Sequence, residues 1–215
     1  MHAVKHNYDI FGVMCMACVN GLAGGIVRDA LLQTGEIYCL VHWELIVTCI
    51  GLSIPVMLFS KQLQKFDLPM DVIDAFSISL WAIVGAHKAF DVGLALLPCA
   101  IMGTVTAVGG GCLRDMFLAR YPRIFISGTL YSSAVFLGAF GYVALVLLGV
   151  PDLVAAGIGI VSILIMRLVS LFMKIETKPA RDYTDRANAA TERMGRRLAE
   201  KRDAWRLRKR NPQIR

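Results

Sequence analysis

Six long apolar runs dominate this 215-residue sequence and restrict what it can fold into. They cover about residues 9–27, 38–59, 72–86, 92–113, 124–148 and 153–173. Most approach the roughly 20 residues that an α-helix needs to cross about 30 Å of hydrocarbon. Charged residues make up only 18% of the chain, whereas a soluble domain carries about 25%. The sequence therefore predicts an all-α polytopic membrane protein and excludes a soluble enzyme with a single core.

Positive charge is concentrated at the C-terminal end. Residues 178–215 hold 13 Lys/Arg and 5 Asp/Glu, whereas residues 1–177 hold 10 Lys/Arg and 11 Asp/Glu. Because Lys and Arg collect on the cytoplasmic side of membrane proteins, we expect a multi-pass protein of the cell inner (plasma) membrane with a cytoplasmic C-terminus. The basic tail is expected to be a solvated extension or to contact anionic lipid. Nucleic acid is not an expected partner, since no base-stacking pattern is present.

A duplicated motif is the most specific feature of the sequence. Gly24-Gly25-Ile26-Val27-Arg28-Asp29 recurs as Gly110-Gly111-Cys112-Leu113-Arg114-Asp115, and both copies read G-G-x-x-R-D at the end of an apolar run. Three predicted crossings separate the two Arg-Asp pairs. An odd number of crossings reverses direction, so the two copies form an inverted-topology repeat, a design typical of transport proteins.

The repeat predicts how the chain is divided. The first repeat covers residues 1–60 with two helices, and the second covers 70–149 with three. An extra transmembrane helix follows at 150–174, and the basic cytoplasmic tail occupies 175–215. Because the second repeat has a helix ahead of its motif helix, the first should have one upstream of His2, where this chain has none. Either translation starts further upstream, or that helix has been lost.

The residue types of the motif point to a pore-like centre. Paired glycines in a membrane helix permit a kink, an unwound turn or the close approach of a neighbouring helix. Adjacent Arg and Asp side chains do not face the same side of a helix, and a charge at the bilayer centre costs about 2.5–3.5 kcal/mol. We therefore expect pairing across the repeats, Arg28 with Asp115 and Arg114 with Asp29; the alternative is snorkelling from the helix ends.

Other polar groups lie on or beside the apolar runs. Lys88 is expected to be either an interfacial anchor or a gating or pore charge that feels the membrane voltage. A second set is expected to line a wet path or to bond helix to helix: Asn20, Asp74, Ser77, Thr104 and Thr106. Glu44 and Arg167 are expected at the interface or to snorkel towards it.

The sequence offers no sign of enzymatic chemistry. No nucleophile–base set or phosphate-binding loop is visible in it. Cys15-x-x-Cys18 has the spacing of a metal or redox pair, but it lies inside an apolar run without a second pair. We therefore expect no enzyme, no metal and no cofactor.

The paired motifs, together with Gly-Ala-His-Lys-Ala-Phe-Asp at residues 85–91, resemble the prokaryotic branch of the trimeric intracellular cation channel family, whose domain is also labelled a glycine transporter. The resemblance covers about residues 3–174. It implies seven helices as two inverted triplets plus one, a homotrimer, and a water-filled pore in each protomer that passes potassium and sodium. It also implies that Gly24-Gly25 and Gly110-Gly111 lie at kinks of the pore helices, and that Lys88 ends the fourth helix.

Two other functions remain open at this point. A carrier of a small amino acid such as glycine would also suit an inverted repeat with broken helices. The third alternative is a non-transporting membrane scaffold whose tail binds lipids or partners.

Overall fold

The computed structural model describes residues 9–59, 67–122, 124 and 132–173. Within these ranges the chain forms seven helices and no strand. The helices are α1 (Ile10–Leu32), α2 (Tyr38–Val41), α3 (Glu44–Leu58), α4 (Asp67–Asp91), α5 (Leu96–Phe117), α6 (Ser132–Leu147) and α7 (Asp152–Met173). The predicted basic tail, with its expected lipid contacts, lies outside the described residues.

The helices have the lengths and surfaces of membrane spans. Four are long and apolar enough to cross a bilayer, namely α1, α4 from Pro69, α5 and α7, while α3 and α6 are shorter apolar helices. Large apolar side chains remain exposed on the outer faces, as at Ile158, Val161 and Ile165 of α7. Such continuous apolar surface is unfavourable in water and is suited to lipid. The chain is therefore a multi-pass membrane protein.

Two predicted spans differ from the observed helices. The second is not one continuous helix, because α2 ends at Val41 and His42 takes a non-helical conformation (φ −96°, ψ 71°) before α3 begins. The Tyr38 N–H donates to the Asp29 carboxylate, so the start of α2 is fixed beside the end of α1. The third span is longer than predicted: α4 has 25 residues, or roughly 37 Å at 1.5 Å per residue, and includes its polar ends.

The two motif helices cross in close contact at their glycines. A Cβ on Gly24 would collide with the backbone carbonyl of Thr106, and a Cβ on Gly110 would collide with that of Asn20. Residue numbers fall along α5 as they rise along α1, so the two helices run antiparallel. Both are continuous through their glycines. Of the three alternatives expected for the glycines, the structure therefore shows the close approach and no unwound turn.

Helix α5 is central to the packing, because it contacts α1, α4 and α6. Small residues allow this packing: a Cβ on Gly103 of α5 would lie 2.5 Å from the Ala82 carbonyl of α4 and 3.1 Å from Ala139 of α6. Helix α7 packs on α4 and α6. The buried Tyr142 of α6 donates its hydroxyl to Asp152 at the start of α7 (2.5 Å), which ties this last helix to the others.

Candidate functional site

A cavity of about 400 Å³ with a mixed polar and apolar lining lies beside the crossing of α1 and α5, with part of α4 as a further wall. This volume holds roughly a dozen waters at about 30 Å³ each. Both copies of the motif line the cavity: Gly24, Gly25, Arg28, Asp29, Gly110, Gly111, Arg114 and Asp115. The repeat found in the sequence therefore forms one common site.

The first copy of the motif is a closed ionic network. Arg28 Nε donates to Asp29 Oδ1 at 2.8 Å, and Lys88 Nζ of α4 lies 2.8 Å from the same oxygen. The Tyr38 N–H donates to Oδ2 at 3.0 Å, and the Tyr38 ring lies 5.7 Å from Lys88 Nζ. The side chains of Arg28 and Asp29 are only 5% and 1% exposed. At this end of the cavity the charged groups of the motif are buried and paired.

The second copy has the same internal pairing in a more open setting. Arg114 donates to Asp115 Oδ1 through Nε (2.9 Å) and Nη2 (2.8 Å). Its Nη1 also reaches Asn20 Oδ1 of α1 at 3.1 Å. The side chains of Arg114 and Asp115 are 26% and 9% exposed. The two ends of the cavity are therefore alike in chemistry but differ in accessibility.

The predicted pairing across the repeats is wrong. Each arginine binds the aspartate that follows it, rather than the aspartate of the other copy. The long arginine side chain folds back around its own helix, so the rule that neighbours face different sides does not hold for it. The contact between copies is instead Arg114 with Asn20, together with the glycine crossing.

The two arginines lie at opposite ends of the crossing. The crossing is centred near residue 22 of α1 and residue 108 of α5, and each arginine lies six residues beyond it. With antiparallel helices and a rise of 1.5 Å per residue, the arginine Cα atoms are roughly 18 Å apart along the helix axes. This is the arrangement required of an inverted repeat.

The other predicted polar residues divide into two groups. The cavity lining includes Asn20, Asp74, Ser77 and Thr106. Thr104 is not among the described lining residues. Its hydroxyl donates instead to the Ala100 carbonyl at 2.8 Å. Lys88 likewise contacts the site through Asp29 rather than lining it.

Sequence reasoning missed part of the α4 wall. Asp71 and Trp81 line the cavity together with Asp74, Ser77 and Ile78. The spacing of 3 or 4 residues places all five on one face of a helix. Because Asp74 was already selected as a lining residue, the other residues on its helix face could have been selected from the sequence.

Arg167 was expected at the interface, yet its side chain is 4% exposed and its Nη2 lies 3.3 Å from Asp74 Oδ2. The Asp74 carboxylate on the neighbouring α4 stabilises the buried arginine. This contact could not be predicted from the sequence around Arg167.

The fold and the cavity define a polytopic membrane protein of the TRIC cation channel fold. A solved structure that describes conductance through TRIC cation channels superposes with a TM-score of 0.80 and 28% identity, covering 84% of this chain and 89% of that one. The TRIC trimeric intracellular cation channel orthologue from Rhodobacter sphaeroides superposes with a TM-score of 0.71 and 27% identity, covering 80% of this chain and 89% of that one. The family model described as "Glycine transporter" matches residues 1–61 and 71–147, and the chain belongs to this family. The predicted resemblance is confirmed.

Curated relatives agree with this membership. The UPF0126 inner membrane protein YadS of Escherichia coli K12 is 30% identical over 173 residues, which are 79% of this chain and 82% of the relative. A UPF0126 membrane protein of Vibrio cholerae is 29% identical over 164 residues, which are 74% of this chain and 67% of the relative.

Proposed function

We propose that the protein is a homotrimeric membrane channel that passes monovalent cations, potassium and sodium, through the cavity within each protomer. The observation that carries the proposal is that both copies of the motif line the same cavity. Its structural neighbours are TRIC cation channels, one of them described as trimeric. The Lys/Arg bias favours a cytoplasmic C-terminus, which puts the Arg114 end inside and the Arg28 end outside.

The charges of the lining favour cations over anions. Four carboxylates line the cavity, from Asp29, Asp71, Asp74 and Asp115. The two lining guanidiniums each bind the aspartate beside them. The Asp74 side chain is 46% exposed and lines the space that an ion would enter. The pairing neutralises Asp29 and Asp115 together with the arginines, so the negative charge that an ion meets comes from Asp71 and Asp74, whose partner Arg167 lies outside the lining.

Neutral oxygens continue the path between the charged ends. Asn20 and Thr106 occupy matching places in the two copies, each beside a glycine of the opposite helix. Conduction needs sites that bind an ion strongly enough to admit it and weakly enough to release it. Amide, hydroxyl and backbone carbonyl oxygens meet this requirement better than bare carboxylates do.

Lys88 is the proposed gating charge. It binds Asp29 at the closed end, and its side chain is 29% exposed, so it has a path to the aqueous side. Moving one charge across the full membrane voltage is worth about 2.3 kcal/mol per 100 mV. A voltage that draws Lys88 outward would release Asp29 and open this end.

Ion flux from proteoliposomes tests the channel. We expect potassium and sodium efflux without saturation, and discrete unitary currents in planar bilayers. Ser77→Phe adds bulk to the cavity wall and should reduce flux at least tenfold, whereas Thr104→Phe adds the same bulk outside the lining and should not. Equal flux for both variants would exclude this cavity as the path.

A carrier of a small amino acid is the second candidate, since the family model is described as a glycine transporter. Arg114, which is partly exposed at the open end, would bind the carboxylate of glycine. Saturable glycine uptake that competing amino acids inhibit, without unitary currents, would favour the carrier over the channel.

A further inference from the structure

A buried arginine on α7 contacts the wall of the cavity from behind. None of the described cavity-lining residues belongs to α7. Yet the Arg167 side chain, 4% exposed, reaches across to α4 and places Nη2 3.3 Å from Asp74 Oδ2. Asp74 itself is half exposed and lines the cavity. One carboxylate therefore has a cation behind it and the ion path in front of it.

The pair lies inside the membrane-spanning part of both helices, more than one turn from the nearer ends. Asp74 is five residues from Pro69, where the membrane-spanning part of α4 starts, and Arg167 is six residues from the end of α7. At 1.5 Å per residue, they lie roughly 8 and 9 Å from these ends. Ionisable residues at such depth are costly, and they are retained where they pair or serve a pathway.

The charge of the arginine changes what Asp74 does to a passing ion. A divalent cation is attracted to a carboxylate twice as strongly as a monovalent one, and the low dielectric of the wall amplifies this difference. Asp71, one turn earlier on the same face of α4, adds a second carboxylate to the lining. Without a nearby positive charge, this part of the wall would retain divalent ions and block the path.

We propose that Arg167 is a positioning residue that compensates the charge of Asp74, so that the cavity passes monovalent cations and does not retain divalent ones. This inference rests on the proposed channel function. It assigns a role in ion selectivity to α7, the helix outside the repeat. This helix acts by contacting Asp74 and does not line the cavity itself within the described residues.

The test is divalent binding to the purified full-length protein, measured with Mn²⁺ by electron paramagnetic resonance. Arg167→Gln should bind Mn²⁺ at least tenfold more tightly than the wild type. The double variant Arg167→Gln/Asp74→Asn should return to the wild-type value, which a merely structural role of Arg167 would not produce. Arg167→Lys, which keeps the charge, should remain close to the wild type. If Arg167→Gln does not fold, Arg167→Met replaces it.

Potassium flux with added Mn²⁺ is measured alongside. Block by Mn²⁺ at tenfold lower concentration in Arg167→Gln, relieved in the double variant, supports the selectivity role. Tighter Mn²⁺ binding by Arg167→Gln, with a wild type that conducts no potassium, would refute the channel and leave the charge compensation supported. Unchanged Mn²⁺ affinity in folded Arg167→Gln would overturn the inference, whatever the flux.

Discussion

Lys88 of α4 and Asp29 of α1 form an ion pair of 2.8 Å that joins the two helices at the closed end of the cavity. Asp29 also accepts hydrogen bonds from Arg28 and from the Tyr38 N–H, so three donors meet at one buried carboxylate. Lys88 is the most exposed of the three charged side chains. Of the charged partners of Asp29, it is therefore the one that can leave at the lowest cost.

Replacing Lys88 by Met should favour the open state of the channel. A charged hydrogen bond contributes about 1.5–3 kcal/mol, so its loss should raise the open probability at zero voltage roughly tenfold and weaken its voltage dependence. Recordings in planar bilayers measure both quantities. Lys88→Arg keeps the charge and should retain most of the voltage dependence. Wild-type gating in Lys88→Met would remove Lys88 from the mechanism.

The glycine crossing should tolerate no side chain. Gly24→Ala and Gly110→Ala each drive a Cβ into a backbone carbonyl of the opposite helix, which we expect to cost about 1–3 kcal/mol of stability. Gly25→Ala and Gly111→Ala are matched controls, because the nearest atoms to their Cβ are the arginine Nη2 at 3.9 and 3.8 Å.

Thermal unfolding in detergent measures the difference between the two pairs of variants. Alanine is a better helix former than glycine by up to about 1 kcal/mol, so the control variants should match or exceed the wild type. Equal losses at all four positions would contradict the observed crossing.

The two aspartates of the motif should differ in their effect on stability. Asp29→Asn leaves two cations without their carboxylate in a buried site, and breaking a buried pair costs about 3–5 kcal/mol. Arg114 beside Asp115 is more exposed, so Asp115→Asn should cost clearly less. Unfolding of both variants in the same detergent provides the comparison. A larger loss for Asp115→Asn would mean that the closed and open ends have been assigned in reverse.

The hydroxyl of Tyr142 should hold α7 in place. Removing it in Tyr142→Phe takes from Asp152 its 2.5 Å hydrogen bond, leaves it only the longer 3.5 Å contact with His87 Nδ1 among the described residues, and should lower the free energy of unfolding by about 1–2 kcal/mol. Tyr121→Phe is the control, because that side chain is almost fully exposed. Limited proteolysis at the 148–151 connection should also become faster in Tyr142→Phe and remain unchanged in the control.

Much of this architecture could be predicted because it depends on periodic or repeated features. The apolar runs indicate membrane helices, and the repeated motif indicates two antiparallel copies, whose motif helices α1 and α5 the structure shows running in opposite directions. Ser77 and Asn20 could be selected as cavity residues because polar side chains on apolar helices require polar surroundings.

The pairing of the charges could not be predicted in the same way. Whether Arg28 folds back onto Asp29 depends on the conformation of a flexible side chain, and neighbouring motif residues give no information about it. The Lys88–Asp29 and Arg167–Asp74 pairs join residues 59 and 93 positions apart, and only the packing of α4 against its neighbours brings them together.

The opposite orientation of the two motif helices can be measured directly by cysteine labelling. Single cysteines are placed at Thr34, just after α1, and at Tyr121, just after α5, in a chain whose six native cysteines are replaced and which retains its flux. Both positions are exposed. With a membrane-impermeant maleimide, we expect Thr34→Cys to be labelled from outside intact cells permeable only at the outer membrane, and Tyr121→Cys only after the inner membrane is opened. Labelling of both positions from the same side would contradict the inverted repeat and the channel built on it.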